Sequence, residues 1–173
     1  MSSTNADLYR GDDKKNKLKM KWVRTPEIIW EQLSKEFDFT VDACASDKNH
    51  LLPRYWTKET DALEQSWDNE IIYCHPMFDI RIPKFVEKGC TSDNSICVFL
   101  LPASTQSVYF HRWFWDDLNH KPQANVEIRF LPKREPSNHL GYKFLSEDNE
   151  EPSMGYIRPL MVVVVDNRMY DYE

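Results

Sequence analysis

Apolar residues recur along this chain with two different spacings, and the spacing assigns the elements. Ile29, Leu33 and Phe37 stand four residues apart, the period of one helix face. They follow Thr25, Pro26 and Glu27, which supply a capping hydroxyl, a proline for the first helical position and an acid in the first turn. The pattern predicts a helix to about Glu36. Phe39 and Val41 then alternate with polar neighbours, as in a short strand ending at Asp42. Further along, IIYC (71–74) and ICVFLL (96–101) are unbroken apolar runs closed by Pro76 and Pro102, the signature of strands buried on both faces. Ile82 to Lys88 reads as a helix stopping at Gly89, and Ser107 to Leu118 as an aromatic-rich helix. Val126–Leu131 and Leu160–Val165 read as strands, the last returning antiparallel at an edge.

Between these elements, residues 43–67 hold polar loop residues and Pro53. Tyr55 to Thr57 is at most a short strand there and Ala62 to Gln65 one helical turn. Strands alternating with helices predict an α/β domain, a mostly parallel sheet with helices on both faces, whose ligands gather at the carboxyl ends of the strands. Asp42, His75 and Pro102 fall at such ends.

The charge distribution adds an arm to this picture. Arg10 to Arg24 contains seven basic and two acidic residues, so this stretch carries +5 while the rest of the chain carries −11, for a total of −6. Residues 1–20 lack hydrophobic periodicity and read as a mobile basic leader, with 21–173 as one domain. Lys14, Lys15, Lys17, Lys19 and Lys21 in this arm either bind DNA phosphates or face solvent. No apolar run is long enough to span a bilayer and no signal-peptide stretch opens the chain, so a cytoplasmic protein without membrane contact is expected. Cys44, Cys74, Cys90 and Cys97 lack zinc spacing and read as reduced core thiols, and His50, His120 and His139 have no metal partners at ligand spacing. The aromatic positions around His111, Arg112, Trp113 and Trp115 read as core rather than as a base-stacking platform.

The blocks WVRTPEIIWEQL, FDFTVDACASDKN, RYWTKETDALEQSW, IIYCHPMF, FVEKG, FLLPASTQSVYFHRWF and VEIRFLPKR occur in that order from Trp22 onward. In order and spacing the chain resembles the phage-type DNA adenine-N6 methyltransferases over about Trp22 to Val165, with HPMF where that family carries N-P-P-Y or D-P-P-Y. The resemblance implies a Rossmann-like S-adenosylmethionine-dependent methyltransferase fold, with S-adenosylmethionine as cofactor and DNA as substrate. It implies that the W-x-x-TP segment (Trp22, Thr25, Pro26) and the VDACAS turn form the cofactor pocket. An acid at a strand's carboxyl end, Asp42, would accept hydrogen bonds from ribose hydroxyls or close a turn as a loop acid, and small Ala43, Ala45 and Ser46 would admit the methionine part. Asp61 aligns with an acid near the cofactor's adenine, and a helix cap explains it as well. Lys133 and Arg134 follow the strand where relatives also carry basic residues, and they contact phosphate or stand in a solvated turn.

The resemblance assigns the chemistry to His75, Pro76, Met77 and Phe78. In the family, a side-chain oxygen and a backbone carbonyl accept the two hydrogens of the adenine amine, and the aromatic residue stacks on the base once it has left the duplex. Here Pro76 and Phe78 keep the carbonyl and the stacking face. His75 lacks a carboxamide oxygen, and Met77 replaces the proline that stiffens the loop. Two functions fit these residues: methyl transfer to adenine N6 in DNA, and a catalytically degenerate protein of the same fold that acts by binding DNA, cofactor or a protein partner.

Overall fold

The computed structural model describes residues 24–132 and 159–168. The leader 1–20, with Lys14, Lys15, Lys17, Lys19 and Lys21, lies outside the described residues, as do Trp22, Lys133, Arg134 and His139.

Helix α1 (Glu27–Glu36) buries Ile29 and Leu33, two of the positions set by the four-residue repeat. It starts after Pro26, whose carbonyl accepts the N–H groups of Ile29 and Trp30 at 2.9 and 3.2 Å. Thr25 is not the cap, since no side chain caps this end, and its hydroxyl is engaged elsewhere.

Strands β1 (Val41–Asp42), β2 (Ile71–Cys74) and β3 (Ile96–Pro102) are parallel neighbours. After the hairpin of β4 (Trp115–Asp116) and β5 (Lys121–Pro122) come β6 (Val126–Phe130) and β7 (Leu160–Asp166). The main sheet has five strands in the order β1-β2-β3-β7-β6. β7 runs antiparallel to both β3 and β6, so β1, β2, β3 and β6 share one direction and β7 alone is reversed. β7 is also interior, where an edge was expected. Its residues Leu160 to Val165 are all buried, which suits a strand covered on both faces, whereas β6 mixes buried and exposed positions and takes the edge.

Side chains alternate between the two faces. Tyr73, Val98, Leu100, Leu160, Val162 and Val164 pack with Ile29 and Leu33 of α1. Ile72, Cys74, Cys97, Phe99, Met161 and Val163 pack on the other face with Phe85 and Val86 of the second helix, α2 (Ile82–Thr91). The two helices therefore cover opposite faces, as expected.

Two local expectations are corrected. Helix α2 continues through Gly89, where close packing rather than a turn selects glycine: a Cβ there would lie 2.4 Å from Cζ of Phe99. The helix expected over Ser107 to Leu118 is shorter: residues 108–114 are helical, with a wide π turn over Phe110–Phe114, and β4 follows at Trp115. Phe110 and Phe114 anchor that turn in the core, and the Asp116 carboxylate accepts the N–H groups of Leu118 and Asn119 at 3.0 and 3.1 Å, reversing the chain. Tyr55 makes only an isolated bridge to Asp42. The four cysteines are free thiols. Among the described residues, no helix is long and apolar enough to cross a membrane, and no group of three or more His, Cys, Asp or Glu could hold a metal ion.

Candidate active site

Adjacent parallel strands β1 and β2 end side by side, and the segments leaving them face one another across a cavity of about 250 Å³. Ala43, Cys44 and Ala45 leave β1 and line one wall, and His75, Pro76, Met77 and Phe78 leave β2 and line another. The volume is slightly below the roughly 300–1,000 Å³ of usual small-molecule sites, so a cofactor held there extends past its rim.

The first wall is ordered by its own backbone. The N–H of Ala43 donates to Tyr73 O at 2.8 Å and that of Ala45 to Trp56 O at 3.0 Å. Asp42 is buried behind this wall and does not line the cavity. Its carboxylate accepts the N–H groups of Cys44 and Leu51 at 3.3 and 3.1 Å. Burial pushes its pKa up, and the two backbone hydrogen bonds oppose that shift. Asp42 thus closes the turn that carries Ala43 and Ala45. Ser46 donates its N–H to Asn49 Oδ1 at 2.7 Å, which brings Asn49 to the cavity.

Asp61 reaches the cavity from a left-handed turn, φ 44°, not from a helix. Its carboxylate accepts the N–H of Leu63 at 3.1 Å. Lys58 and Arg81 place two cations around the same space, with Trp56 and Phe85 as apolar surface. His50 stacks on Tyr55 with ring centroids 4.2 Å apart.

The second wall holds the unusual residue. His75 Nδ1 lies 3.1 Å from Thr25 Oγ1, which is also 2.7 Å from the hydroxyl of Tyr73. Burial pushes the His75 imidazole down to about 4, so the ring is neutral at pH 7. The rings of His75 and Phe78 are 5.3 Å apart. The Met77 carbonyl accepts the Asp79 N–H at 2.8 Å, so a tight local turn holds the loop despite the missing proline. Phe78 lines both this cavity and a second one of about 450 Å³ that includes Tyr109 and Trp113.

The structure therefore brings His75, Pro76, Met77, Phe78, Ala43, Ala45 and Asp61 to one cavity, with Thr25 bonded behind it. Pro26 is buried at the start of α1, away from the lining. Sequence reasoning missed Tyr73, Asn49, Trp56, Lys58, Arg81 and Phe85. One signal for Tyr73 existed, because it precedes His75 by two residues and so shares its side of the strand. His111 is exposed, bonded to Asp117 Oδ1 at 2.5 Å and Thr105 O at 2.8 Å, and does not line this cavity.

A DNA N-6-adenine-methyltransferase of Escherichia phage T1 is 24% identical over 106 residues, which cover 59% of this chain and 44% of the relative. The chain thus spans under half the length of that curated relative. No solved structure matches it. Residues 12–166 match the family model of DNA N-6-adenine-methyltransferase (Dam), and the chain belongs to that family.

Proposed function

We propose that this chain transfers a methyl group from S-adenosylmethionine to adenine N6 in DNA. One observation carries the reading: the turn after β1 and the loop His75–Phe78 after β2 line a single cavity at the carboxyl ends of adjacent parallel strands, where ligands of α/β sheets collect. On this reading the sheet is the Rossmann-like methyltransferase fold.

The side chains suit the cofactor. Lys58 and Arg81 match a carboxylate, Asp61 an ammonium or ribose hydroxyls, and Trp56 and Phe85 a purine face. Ala43 and Ala45 leave the backbone open to close approach. Asp42 acts by holding that turn, and Trp22 belongs to the same proposed pocket. S-adenosylmethionine, when bound, supplies an electrophilic methyl on a sulfonium.

The protein's own share of the chemistry is to position the amine and exclude water. The Pro76 carbonyl takes one amine hydrogen, Phe78 stacks on the extruded base, and neutral His75 adds no positive charge beside the sulfonium. Lys14, Lys15, Lys17, Lys19 and Lys21, with Lys133 and Arg134, supply phosphate contacts. DNA affinity then falls steeply with salt, and removing residues 1–20 flattens the slope.

Calorimetry with S-adenosylmethionine tests the cofactor half. Wild type binds, and Asp61→Asn and Lys58→Ala each weaken binding by about 1 kcal/mol, the scale of one hydrogen bond. Absence of binding by wild type removes the cofactor reading. Binding without transfer to any DNA favours a protein that acts by binding alone.

A further inference from the structure

The hydroxyl of Tyr73, the hydroxyl of Thr25 and Nδ1 of His75 form a chain of two hydrogen bonds, 2.7 and 3.1 Å long. Counting hydrogens fixes its direction. Tyr73 is 1% exposed, and its hydroxyl has Thr25 Oγ1 as its one hydrogen-bond partner among the described residues. If the phenol donates to Thr25 and Thr25 donates to Nδ1, each hydroxyl hydrogen has an acceptor.

The reverse orientation fails this test. If Nδ1 carried the ring hydrogen and donated to Thr25, Thr25 would have to donate to Tyr73 or to a third group. In the first case the Tyr73 hydrogen is stranded in the core. In the second, the Thr25 hydrogen needs an acceptor beyond the two groups it already touches. A buried donor left without an acceptor disfavours these arrangements by about tenfold or more. The ring is neutral, so it carries one hydrogen, and the remaining site for it is Nε2.

We infer that Thr25 and Tyr73 are positioning residues that lock His75 as its Nε2–H tautomer, so that position 75 offers the target base a hydrogen-bond donor in place of the acceptor expected there. The inference deepens the methyltransferase reading and rests on it for the identity of the base. A donor at Nε2 cannot take an amine hydrogen. It pairs with a ring nitrogen that bears a lone pair, such as N1 beside the N6 amine of adenine. A base whose ring nitrogen at that edge carries hydrogen, as in guanine or thymine, meets donor against donor. His75 therefore selects amino bases, and the amine hydrogen goes to a carbonyl such as that of Pro76.

Nitrogen-15 NMR of His75 in the full chain at neutral pH, without DNA or cofactor, reads the tautomer directly. The expected spectrum has Nε2 protonated and Nδ1 as a hydrogen-bonded lone pair. Thr25→Ser keeps it, and Thr25→Val gives a mixture. A protonated Nδ1 in the wild type, or an unchanged tautomer in a folded Thr25→Val, overturns the lock. If Thr25→Val does not fold, the wild-type spectrum alone decides. Titration with millimolar adenosine should then shift the Nε2–H resonance, and 1-deazaadenosine should not. Equal shifts, or none with either, overturn the base-reading role. The tautomer measurement needs no methyl transfer, so its failure is distinct from failure of the methyltransferase reading.

Discussion

Gly89 of α2 lies directly against Phe99 of β3, so closely that a Cβ on the glycine would sit 2.4 Å from Cζ of the ring. Phe99 is fully buried and packs near Trp67 and Phe114, with ring centroids 6.4 and 6.2 Å away, so it has little room to move. Gly89→Ala should therefore destabilise the protein by about 1–3 kcal/mol, the usual cost of overpacking a core, even though alanine is the better helix former. Chemical denaturation checks this, and an equal or raised stability would contradict the packing described.

The same glycine shows why local signals mislead. In sequence, Gly89 after Ile82–Lys88 reads as a helix stop, and Thr25 before Pro-Glu as a cap, because both readings consider only neighbours along the chain. Tertiary partners decide otherwise: Phe99 requires the glycine, and Tyr73 with His75 takes the hydroxyl. The strands were legible because burial on both faces leaves unbroken apolar runs, as in ICVFLL and LMVVVV. The interior place of the last strand was not, since sequence alone does not order strands. In 107–118 the aromatic spacing outweighed Asp116 and Asn119, which mark the turn. Of the site, the resemblance supplied the loop 75–78 and the turn after Asp42. Lys58, Arg81 and Phe85 come from separate segments that meet only in the fold.

Asp42 offers a sharper test of how the cavity wall is built. Asp42→Ala leaves the N–H groups of Cys44 and Leu51 without their carboxylate partner, and stability should fall by about 2 kcal/mol. Cofactor affinity should fall with it, because the turn carrying Ala43 and Ala45 loosens. A variant of wild-type stability would show that the carboxylate does not hold the turn.

Burial of His75 links folding to pH. Its imidazole is held near 4 in the folded protein against an ordinary 6.5, so between these values the unfolded chain binds more protons and stability rises with pH. The contribution is complete above about pH 6.5 and lost as pH falls toward 4. It amounts to at most about 3 kcal/mol, less where the cavity-facing edge of the ring stays wet. The stability difference between wild type and His75→Asn, followed by denaturant titration from pH 4 to 7, should change by that order. A flat difference would mean that His75 titrates as an exposed imidazole.

Restoring the family's residues in the loop tests what their loss has done. His75→Asn with Met77→Pro returns a side-chain oxygen and a stiff loop beside the existing Pro76 and Phe78. Transfer should rise by tenfold or more, about 1.4 kcal/mol in the barrier. Slower transfer by the double variant than by wild type would show that the amine needs no side-chain acceptor at position 75.

Mass spectrometry of nucleosides from DNA incubated with the full chain and methyl-labelled S-adenosylmethionine reads methyl transfer to adenine directly. Label is expected in N6-methyladenine with adenine-containing DNA and none with DNA lacking adenine. Cofactor binding without label in any nucleoside, or label confined to another base, would contradict it.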